Sequence, residues 1–242
     1  KVCLSLKDYT NAAAYADKVI TKSNFALSTT SVEYAQAFVS NSSSKELVFA
    51  LANKRSTSLL LFYQTVNDID PTWDYSPSTE CYSHLYDDTA VKSKDIRAKA
   101  VFGADNSRII KFPNGSTGQF VTNEQPSQTP IVVTRVAEMY LIKAEALGAV
   151  NGLATLKEFM NKRYATVLLP SNMTDIEFQN QILDERHREL YAEGQRWYDL
   201  KRTNRLDLFS SLNGRNYLMY YPVPQSERDL AGAENYPQND GY

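Results

Sequence analysis

The 242-residue sequence predicts a mainly α-helical fold, with packed helix hairpins, one long irregular excursion and a few short strands. Two observations lead to this prediction. Apolar residues recur at the three- and four-residue spacing of amphipathic helices near the start of the chain and from residue 133 onward. Residues 63–129 lack that spacing and are interrupted by proline and glycine, which break regular elements.

The first segment, Lys1–Thr21, predicts the end of one helix, a turn at Lys7-Asp8 and a second helix. The apolar face of the second helix consists of Ala12, Ala13, Ala16, Val19 and Ile20. The small side chains of its alanines permit close packing against another helix. Further on, Glu46–Leu51 is an apolar run of strand length, although a buried helical segment would show the same pattern.

The excursion, residues 63–129, contains two predicted short helices, Tyr82–Tyr86 and Asp95–Phe102, and a predicted strand at Arg108–Phe112. Long irregular segments inside folded proteins are usually functional or disordered. The aromatic content of this one argues against disorder. We therefore expect the excursion to carry function.

Regular structure resumes near Thr134 and predicts two antiparallel helices that meet near Gly148. The first has an apolar face of Val133, Val136, Ala137, Tyr140, Leu141, Ala144 and Leu147, and the second one of Leu153, Leu156, Phe159 and Met160. A further helix is predicted from Thr174-Asp175 to Ala192. Gly194 is expected to end it with a positive φ, so that Arg196–Arg202 forms a separate short helix.

The segment from Glu185 to Arg202, ERHRELYAEGQRWYDLKR, alternates acids with arginines. Glu185, Glu189 and Glu193 would stack on one face of a continuous helix, where like charges repel unless cations reach them. Arg135 or Arg163 could supply such cations from another element. We therefore predict a structural ion-pair seam between helices, formed by Arg135, Glu138, Glu185, Glu189, Glu193, Arg196, Asp199 and Arg202.

Three segments resemble signatures of the SusD/RagB family of surface glycan-binding lipoproteins. The first is Glu185–Arg202, with Glu193-Gly194 followed by the run RWYDL. The second, RVAEMYLIKAEA, begins at Arg135, and the third combines PVP at Pro222 with QNDGY at the end of the chain. Asp240 departs from the family pattern, which usually has proline there.

The resemblance implies a single SusD-like domain over residues 1–242, with tetratricopeptide-like helix pairs and with the excursion inside it. It also implies that the chain either is truncated at its N terminus or is an unusually short member of the family. Members of this family capture oligosaccharides without hydrolysing them and act with a SusC-like TonB-dependent transporter. The expected location is the surface of the outer membrane, and the expected membrane link is a lipid anchor upstream of this chain.

Composition and motifs exclude several other kinds of function. A formal net charge of -2 without a basic run argues against nucleic-acid binding. The two histidines, His84 and His187, lie far apart in sequence, and no histidine or cysteine cluster has the spacing of metal ligands. Phosphate-binding glycine loops and nucleophile elbows are missing too, so we expect neither metal nor cofactor. Both cysteines, Cys3 and Cys81, are predicted to be buried free thiols.

Glu189 and Glu193 also permit a different hypothesis, a helical glycoside hydrolase, since such enzymes use two carboxylates. A general acid, however, needs a raised pKa, whereas neighbouring arginines lower it. Structural ion pairing is therefore the favoured interpretation. A third alternative is a helical-repeat module that binds a protein or peptide and no sugar.

Aromatic residues are abundant, with 16 tyrosines and 12% Phe, Trp and Tyr together. Exposed rings can stack on the C–H-rich face of a sugar while polar neighbours bind its hydroxyl groups. The alternative is that these rings fix the excursion to the helical body. We predict that the ligand site consists of Trp73, Asp74, Tyr75, Tyr82, Tyr86 and Asn67.

Overall fold

The computed structural model describes residues 1–39, 42–52, 76–86, 94–102, 109–112, 130–167, 169–209 and 212–242. It divides into two compact units, Lys1–Glu193 and Gly194–Tyr242. The described residues of the first unit form two strands, β1 (Leu47–Leu51) and β2 (Ile131–Arg135), among helices. These helices are α1 (Val2–Ser5), α2 (Tyr9–Ile20), α3 (Ser31–Gln36), α4 (Thr79–Tyr86), α5 (Ile96–Val101), α6 (Val136–Arg163) and α7 (Asp175–Glu189). The predicted mainly α-helical fold is confirmed.

The N-terminal hairpin follows the predicted pattern. Asp8 caps α2 by accepting a hydrogen bond from the backbone N–H of Asn11 at 3.2 Å. The small face of α2 is buried at Ala12 and Ala16, which pack in a core cluster with Met139 of α6. Cys3 and Cys81 are free thiols as predicted, but both are half-buried instead of buried.

Helix α6 is kinked at Gly148, which has φ 70° and ψ 179°. The kink separates the two antiparallel helices that the sequence predicts. The turns on either side approach closely at Gly152, where a Cβ atom would overlap the carbonyl oxygen of Ala144 and lie 3.0 Å from the Phe178 ring. The core between α6 and α7 is formed mainly by Leu141, Leu156, Phe159 and Ile182.

The two strands pair in an antiparallel manner, with Leu47 opposite Arg135 and Leu51 opposite Ile131. The strand interpretation of the apolar run at residues 46–51 is confirmed. The prediction that Val133 and Thr134 belong to a helix is wrong, because both lie in β2. The run from residue 131 to residue 134 is entirely β-branched, which favours a strand when a partner strand is available.

Two helices of the excursion are confirmed, because α4 and α5 lie at the predicted places. The predicted strand at residues 108–112 is wrong for the described part, residues 109–112. It makes one isolated bridge, between Phe102 and Ile109. An aromatic core beneath these helices contains Tyr34, Phe38, Tyr86, Phe102 and Phe112.

Helix α7 begins with a capping box, in which Thr174 and Glu177 satisfy each other's backbone N–H groups. It ends at Glu189, three residues before the predicted end. Ala192 and Gly194 then adopt positive φ values of 62° and 74°, which turn the chain away from the helix.

In the part of the second unit that the structure describes, the elements are α8 (Arg196–Arg202), two 3₁₀ turns (Leu206–Leu208 and Asn216–Met219) and α9 (Gln225–Ala231). The C-terminal signature residues bind one another here. The Gln238 side chain accepts a hydrogen bond from the Val223 N–H at 2.7 Å. The Asn239 amide donates to the Tyr221 carbonyl at 2.6 Å. Within the described ranges, each helix is too short or too polar to cross a membrane.

Candidate functional site

Glu189, the last residue of α7, is fully buried and lies among three arginines. Arg163 Nε donates to Glu189 Oε2 at 2.9 Å, and Arg97 Nη1 donates to the same oxygen at 3.3 Å. Arg135 Nη1 donates to Oε1. These arginines come from the end of α6, from α5 and from the end of β2, so one carboxylate joins four elements.

Glu185 lies one helical turn before Glu189, on the same face of α7. Its carboxylate accepts hydrogen bonds from Arg97 Nη2 at 2.8 Å, the Tyr164 hydroxyl at 2.7 Å and Arg188 Nη1 at 3.0 Å. Asp95 orients Arg97, since its Oδ1 accepts from Arg97 Nε at 2.9 Å. Both acids of this face are therefore matched by guanidinium groups.

Glu46, immediately before β1, binds Arg135 and Arg163, two of the three arginines around Glu189. Its Oε1 accepts from Arg163 Nη2 at 2.7 Å and from the Ser28 N–H at 2.7 Å. Its Oε2 accepts from Arg135 Nη1 at 3.3 Å. Glu46 thus fixes the start of the two-stranded sheet against α6.

Glu193 lies beyond the end of α7, so the stacking expected on a continuous helix applies to Glu185 and Glu189 and does not extend to Glu193. The turn after Glu189 nevertheless returns Glu193 to the same cations. Arg135 Nη2 and Lys111 Nζ each donate to Glu193 Oε1 at 2.6 Å. Lys111 also donates to the main-chain carbonyls of Glu189 and Tyr191, at 2.9 Å each.

We call this set the ion-pair cluster. Its charges balance, because in the described part of the chain it comprises five acids and five cations: Glu46, Asp95, Glu185, Glu189, Glu193, Arg97, Lys111, Arg135, Arg163 and Arg188. Aromatic rings enclose it. The Arg135 guanidinium lies 5.5 Å from the centroid of Tyr34, and that of Arg163 lies 5.2 Å from Phe159.

The electrostatics of the ion-pair cluster keep its acids ionised. Burial raises the pKa of Glu189, but the charges of Arg163, Arg135 and Arg97 outweigh burial and hold that pKa well below its ordinary value. The same balance, with the cations that contact them, lowers the pKa of Glu185 and Glu193. Buried, ionised and fully matched carboxylates suit structural pairing, and they do not suit proton donation to a substrate.

The predicted seam divides into three parts. Arg135, Glu185, Glu189 and Glu193 belong to the ion-pair cluster. Glu138 is buried elsewhere and pairs with Lys1 Nζ at 2.9 Å and Arg186 Nη2 at 3.6 Å. In the second unit, Arg202 binds Asp199 one turn away at 2.8 Å, and Arg196 lies in the first turn of α8.

Four charged residues of the ion-pair cluster were missed by the sequence analysis: Glu46, Asp95, Arg97 and Lys111. They lie on short elements of the first half of the chain and of the excursion, where no helical face is long enough to show periodicity. The Asp95-x-Arg97 spacing is the one available signal, since Asp95 caps α5 at the Arg97 N–H.

Most of the predicted ligand site, Asn67, Trp73, Asp74 and Tyr75, lies outside the described residues. The structure describes its other two members. The Tyr82 ring is partly buried and lies 5.1 Å from that of Phe102, centroid to centroid. Tyr86 is 3% exposed, and its hydroxyl donates to Asp95 Oδ2 at 3.3 Å.

The expectation of an exposed ring at Tyr86 is therefore not met. Tyr82, Leu85 and Tyr86 are spaced three and four residues apart and form the core-facing side of α4. We exclude Tyr86 from the surface on which a sugar ring could stack. No group of three or more His, Cys, Asp or Glu residues in the described ranges could hold a metal ion.

Comparison with known proteins places this architecture in a family. The SusD family model matches residues 62–242, more than half of the chain. Starch-binding protein SusD of Bacteroides thetaiotaomicron is 32% identical over 173 residues, which cover 65% of this chain and 30% of that protein.

Two solved structures from Bacteroides thetaiotaomicron share the fold. A SusD superfamily protein superposes with a TM-score of 0.68 at 20% identity and matches 99% of this chain and 55% of its own. Surface glycan-binding protein A, in complex with laminarihexaose, has a TM-score of 0.68 at 17% identity, covering 98% of this chain and 61% of its own. The chain thus spans 30% of the length of the starch-binding relative and little more than half of these solved chains. Residues 62–242 match the family model along their whole length, and the chain belongs to the SusD family.

Proposed function

We infer that this chain belongs to a non-catalytic protein that binds oligosaccharides at the cell surface. In this proposal the bound glycan is passed to a SusC-like TonB-dependent transporter, and a lipid anchor upstream of this chain holds the protein to the outer membrane. Membership of the SusD family over residues 62–242 is the observation that carries the proposal. One relative is named for starch binding, and one solved relative holds laminarihexaose.

The ion-pair cluster supports binding over hydrolysis. The two acids that a hydrolase would use, Glu189 and Glu193, are committed to Arg135, and Glu189 has no exposed surface. In this proposal the helical body and the ion-pair cluster form a rigid scaffold. Capture of the ligand is assigned to the excursion.

Trp73 and Tyr75 are the proposed stacking rings, with Asn67 and Asp74 as polar partners for the sugar hydroxyl groups. Tyr82 belongs to the same proposed site, and its ring is partly buried. A flat aromatic floor with few polar groups is the usual arrangement for carbohydrate and other small-ligand sites.

The test is affinity electrophoresis of the parent protein through gels that contain starch, laminarin or other polysaccharides. We expect retardation by at least one polysaccharide, and Trp73→Ala should weaken retention about tenfold, which corresponds to about 1.4 kcal/mol. The melting temperature of Trp73→Ala should equal that of the parent. Tyr198→Ala is the matched control, because Tyr198 is 66% exposed in the second unit, outside the proposed site.

Three outcomes would contradict the proposal in different ways. Equal retention of Trp73→Ala and parent would remove Trp73 from the site. A parent that no polysaccharide retards, but that binds a peptide or protein, would favour the helical-repeat interaction module. Release of reducing sugar that is lost in a Glu189→Gln or Glu193→Gln variant with a folded circular dichroism spectrum would favour the hydrolase.

A further inference from the structure

A thiol–imidazole pair joins α4 to α7, apart from the ion-pair cluster. Cys81 Sγ lies 3.6 Å from His187 Nε2, and the Cys81 side chain is half-buried, so solvent reaches it. One turn further along the same two helices, His84 Nε2 lies 3.0 Å from Asp184 Oδ1. The two histidines therefore have different partners, a sulfur atom and a carboxylate.

Two features near the sulfur favour its anionic form, against the opposing effect of the apolar cluster on which Cys81 packs. Cys81 lies in the first turn of α4, an eight-residue helix, where the helix dipole favours negative charge. An adjacent imidazole accepts the thiol proton and then faces the thiolate as a cation. The His187 ring is held in place by stacking on Tyr191, with centroids 5.7 Å apart and ring planes at 25°.

Tyr191 supplies a third contribution. Burial, together with the neighbouring Cys81 side chain, raises the pKa of the Tyr191 hydroxyl above its ordinary value. The hydroxyl therefore stays protonated in the neutral range and can donate a hydrogen bond to the sulfur. Thiolate nucleophilicity and access of the reagent together set the rate at which a cysteine reacts.

We propose that Cys81 is a reactive thiol that undergoes thiol–disulfide exchange with low-molecular-weight disulfides. His187 Nε2 accepts the proton of the thiol, and the Cys81 sulfur attacks one sulfur of the small disulfide. The S–S bond of the small disulfide breaks as the mixed disulfide forms. The released sulfur leaves as a thiolate and takes up the proton from the imidazolium, so no external oxidant is required.

The position of this site gives the modification a consequence for the excursion. Helix α4 belongs to residues 63–129, and the Cys81–His187 contact is one of those that hold it on α7. Arg188 provides another, donating from Nε to the Leu85 carbonyl at 3.1 Å. In a mixed disulfide, a second sulfur atom and its substituent are bonded to Cys81 Sγ and compete with His187 for the space beside it.

The probe is 5,5′-dithiobis(2-nitrobenzoate), an aromatic disulfide, reacted at pH 7 with the parent protein and followed by peptide mass spectrometry. Cys3 is the internal reference. It is also half-buried, but it lies on α1, whereas both histidines lie on α4 and α7. We expect Cys81 to react about tenfold faster than Cys3. His187→Gln should slow Cys81 about threefold or more, since a stabilised thiolate is also a weaker nucleophile and the gain is moderate.

His84→Gln is the matched control and should leave the Cys81 rate within about twofold. Equal rates at Cys81 and Cys3 in the folded parent would overturn the proposal, as would an unchanged Cys81 rate in a folded His187→Gln variant. If His187→Gln loses its folded circular dichroism spectrum, Tyr191→Phe replaces it, and an unchanged Cys81 rate in that folded variant overturns the proposal.

Discussion

Arg135 binds Glu189 at two points, through the side chain and through the backbone. Its Nη1 donates to the carboxylate, and its Nη2 donates to the main-chain carbonyl at 2.9 Å. That carbonyl, at the end of α7, also accepts from Lys111 Nζ at 2.9 Å and from the Tyr34 hydroxyl at 3.0 Å. Carbonyls in the last helical turn lack intrahelical donors, so Arg135, which helps to neutralise the Glu189 carboxylate, also caps the helix together with Lys111 and Tyr34.

Glu189→Gln should destabilise the protein by about 3–5 kcal/mol, because it leaves buried guanidinium groups without their compensating charge. The measurement is the free energy of unfolding from urea denaturation. Asp17→Asn is the matched control, since the Asp17–Lys143 pair is partly exposed on both sides. The control should change stability by less than about 1 kcal/mol. A loss below about 1 kcal/mol in Glu189→Gln would show that Glu189 is not the centre of the ion-pair cluster.

Acid should remove the stability that the glutamates of the ion-pair cluster contribute to the folded protein. The folded pKa values of Glu185, Glu189 and Glu193 lie below that of an unfolded glutamate, which is about 4.3. The unfolded chain therefore takes up protons first as pH falls, so this stability is complete above about pH 5 and is lost progressively below it. Denaturant titrations between pH 7 and pH 3 should show that loss, and Glu189→Gln should show a shallower one.

Lys111 should make the stability of the protein depend on pH in the alkaline range, because the pKa of this buried lysine is lowered. Burial lowers its pKa to about 8, whereas an unfolded lysine titrates near about 10.4. Between these values the unfolded chain binds more protons than the folded one, so the contribution of Lys111 to stability rises with pH. We expect the stability of the parent relative to Lys111→Met to increase from pH 8 to about pH 10. A constant difference would mean that Lys111 stays charged across this range.

Two glycines of α6 should respond differently to alanine. Gly148→Ala should cost about 1–2 kcal/mol, because a Cβ there has open space but the φ of 70° is unfavourable for alanine. Gly152→Ala should cost about 3 kcal/mol, since its Cβ would overlap the backbone oxygen of Ala144. Helix propensity by itself predicts the reverse, a gain of about 1 kcal/mol for each. Urea denaturation of the two variants decides between these expectations.

The ion-pair cluster is predictable from sequence where a long periodic pattern and the physical need for charge compensation agree. The spacing of Glu185 and Glu189 on α7 requires cations, and Arg135 and Arg163 were correctly identified as sources. Lys111 and Glu46 could not be found in this way. Their burial depends on where a short loop and a strand end meet α7, which is decided by tertiary packing.

The errors have equally local causes. Val133 matches the helical spacing of α6, but the β-branched run around it pairs with β1. Tyr86 was grouped with the exposed rings of the excursion, although its spacing from Tyr82 and Leu85 already marks the buried face of a helix. The first error applies the helical periodicity to a β-branched run, and the second overlooks the helical periodicity of α4.

The wide separation of the cluster residues along the chain has a consequence for synthesis. Glu46 and Arg163 lie 117 positions apart, and Glu189 follows Arg163 by 26 more. The ribosome adds Arg97, Arg135 and Arg163 before Glu189, the carboxylate that all three contact. Their charges must remain hydrated until α7 emerges. Closing such long loops is slow and is repaid only when the last partner arrives. The first unit therefore cannot finish folding during translation until nearly all of it has left the ribosome, and a prematurely ended chain keeps its guanidinium groups in water.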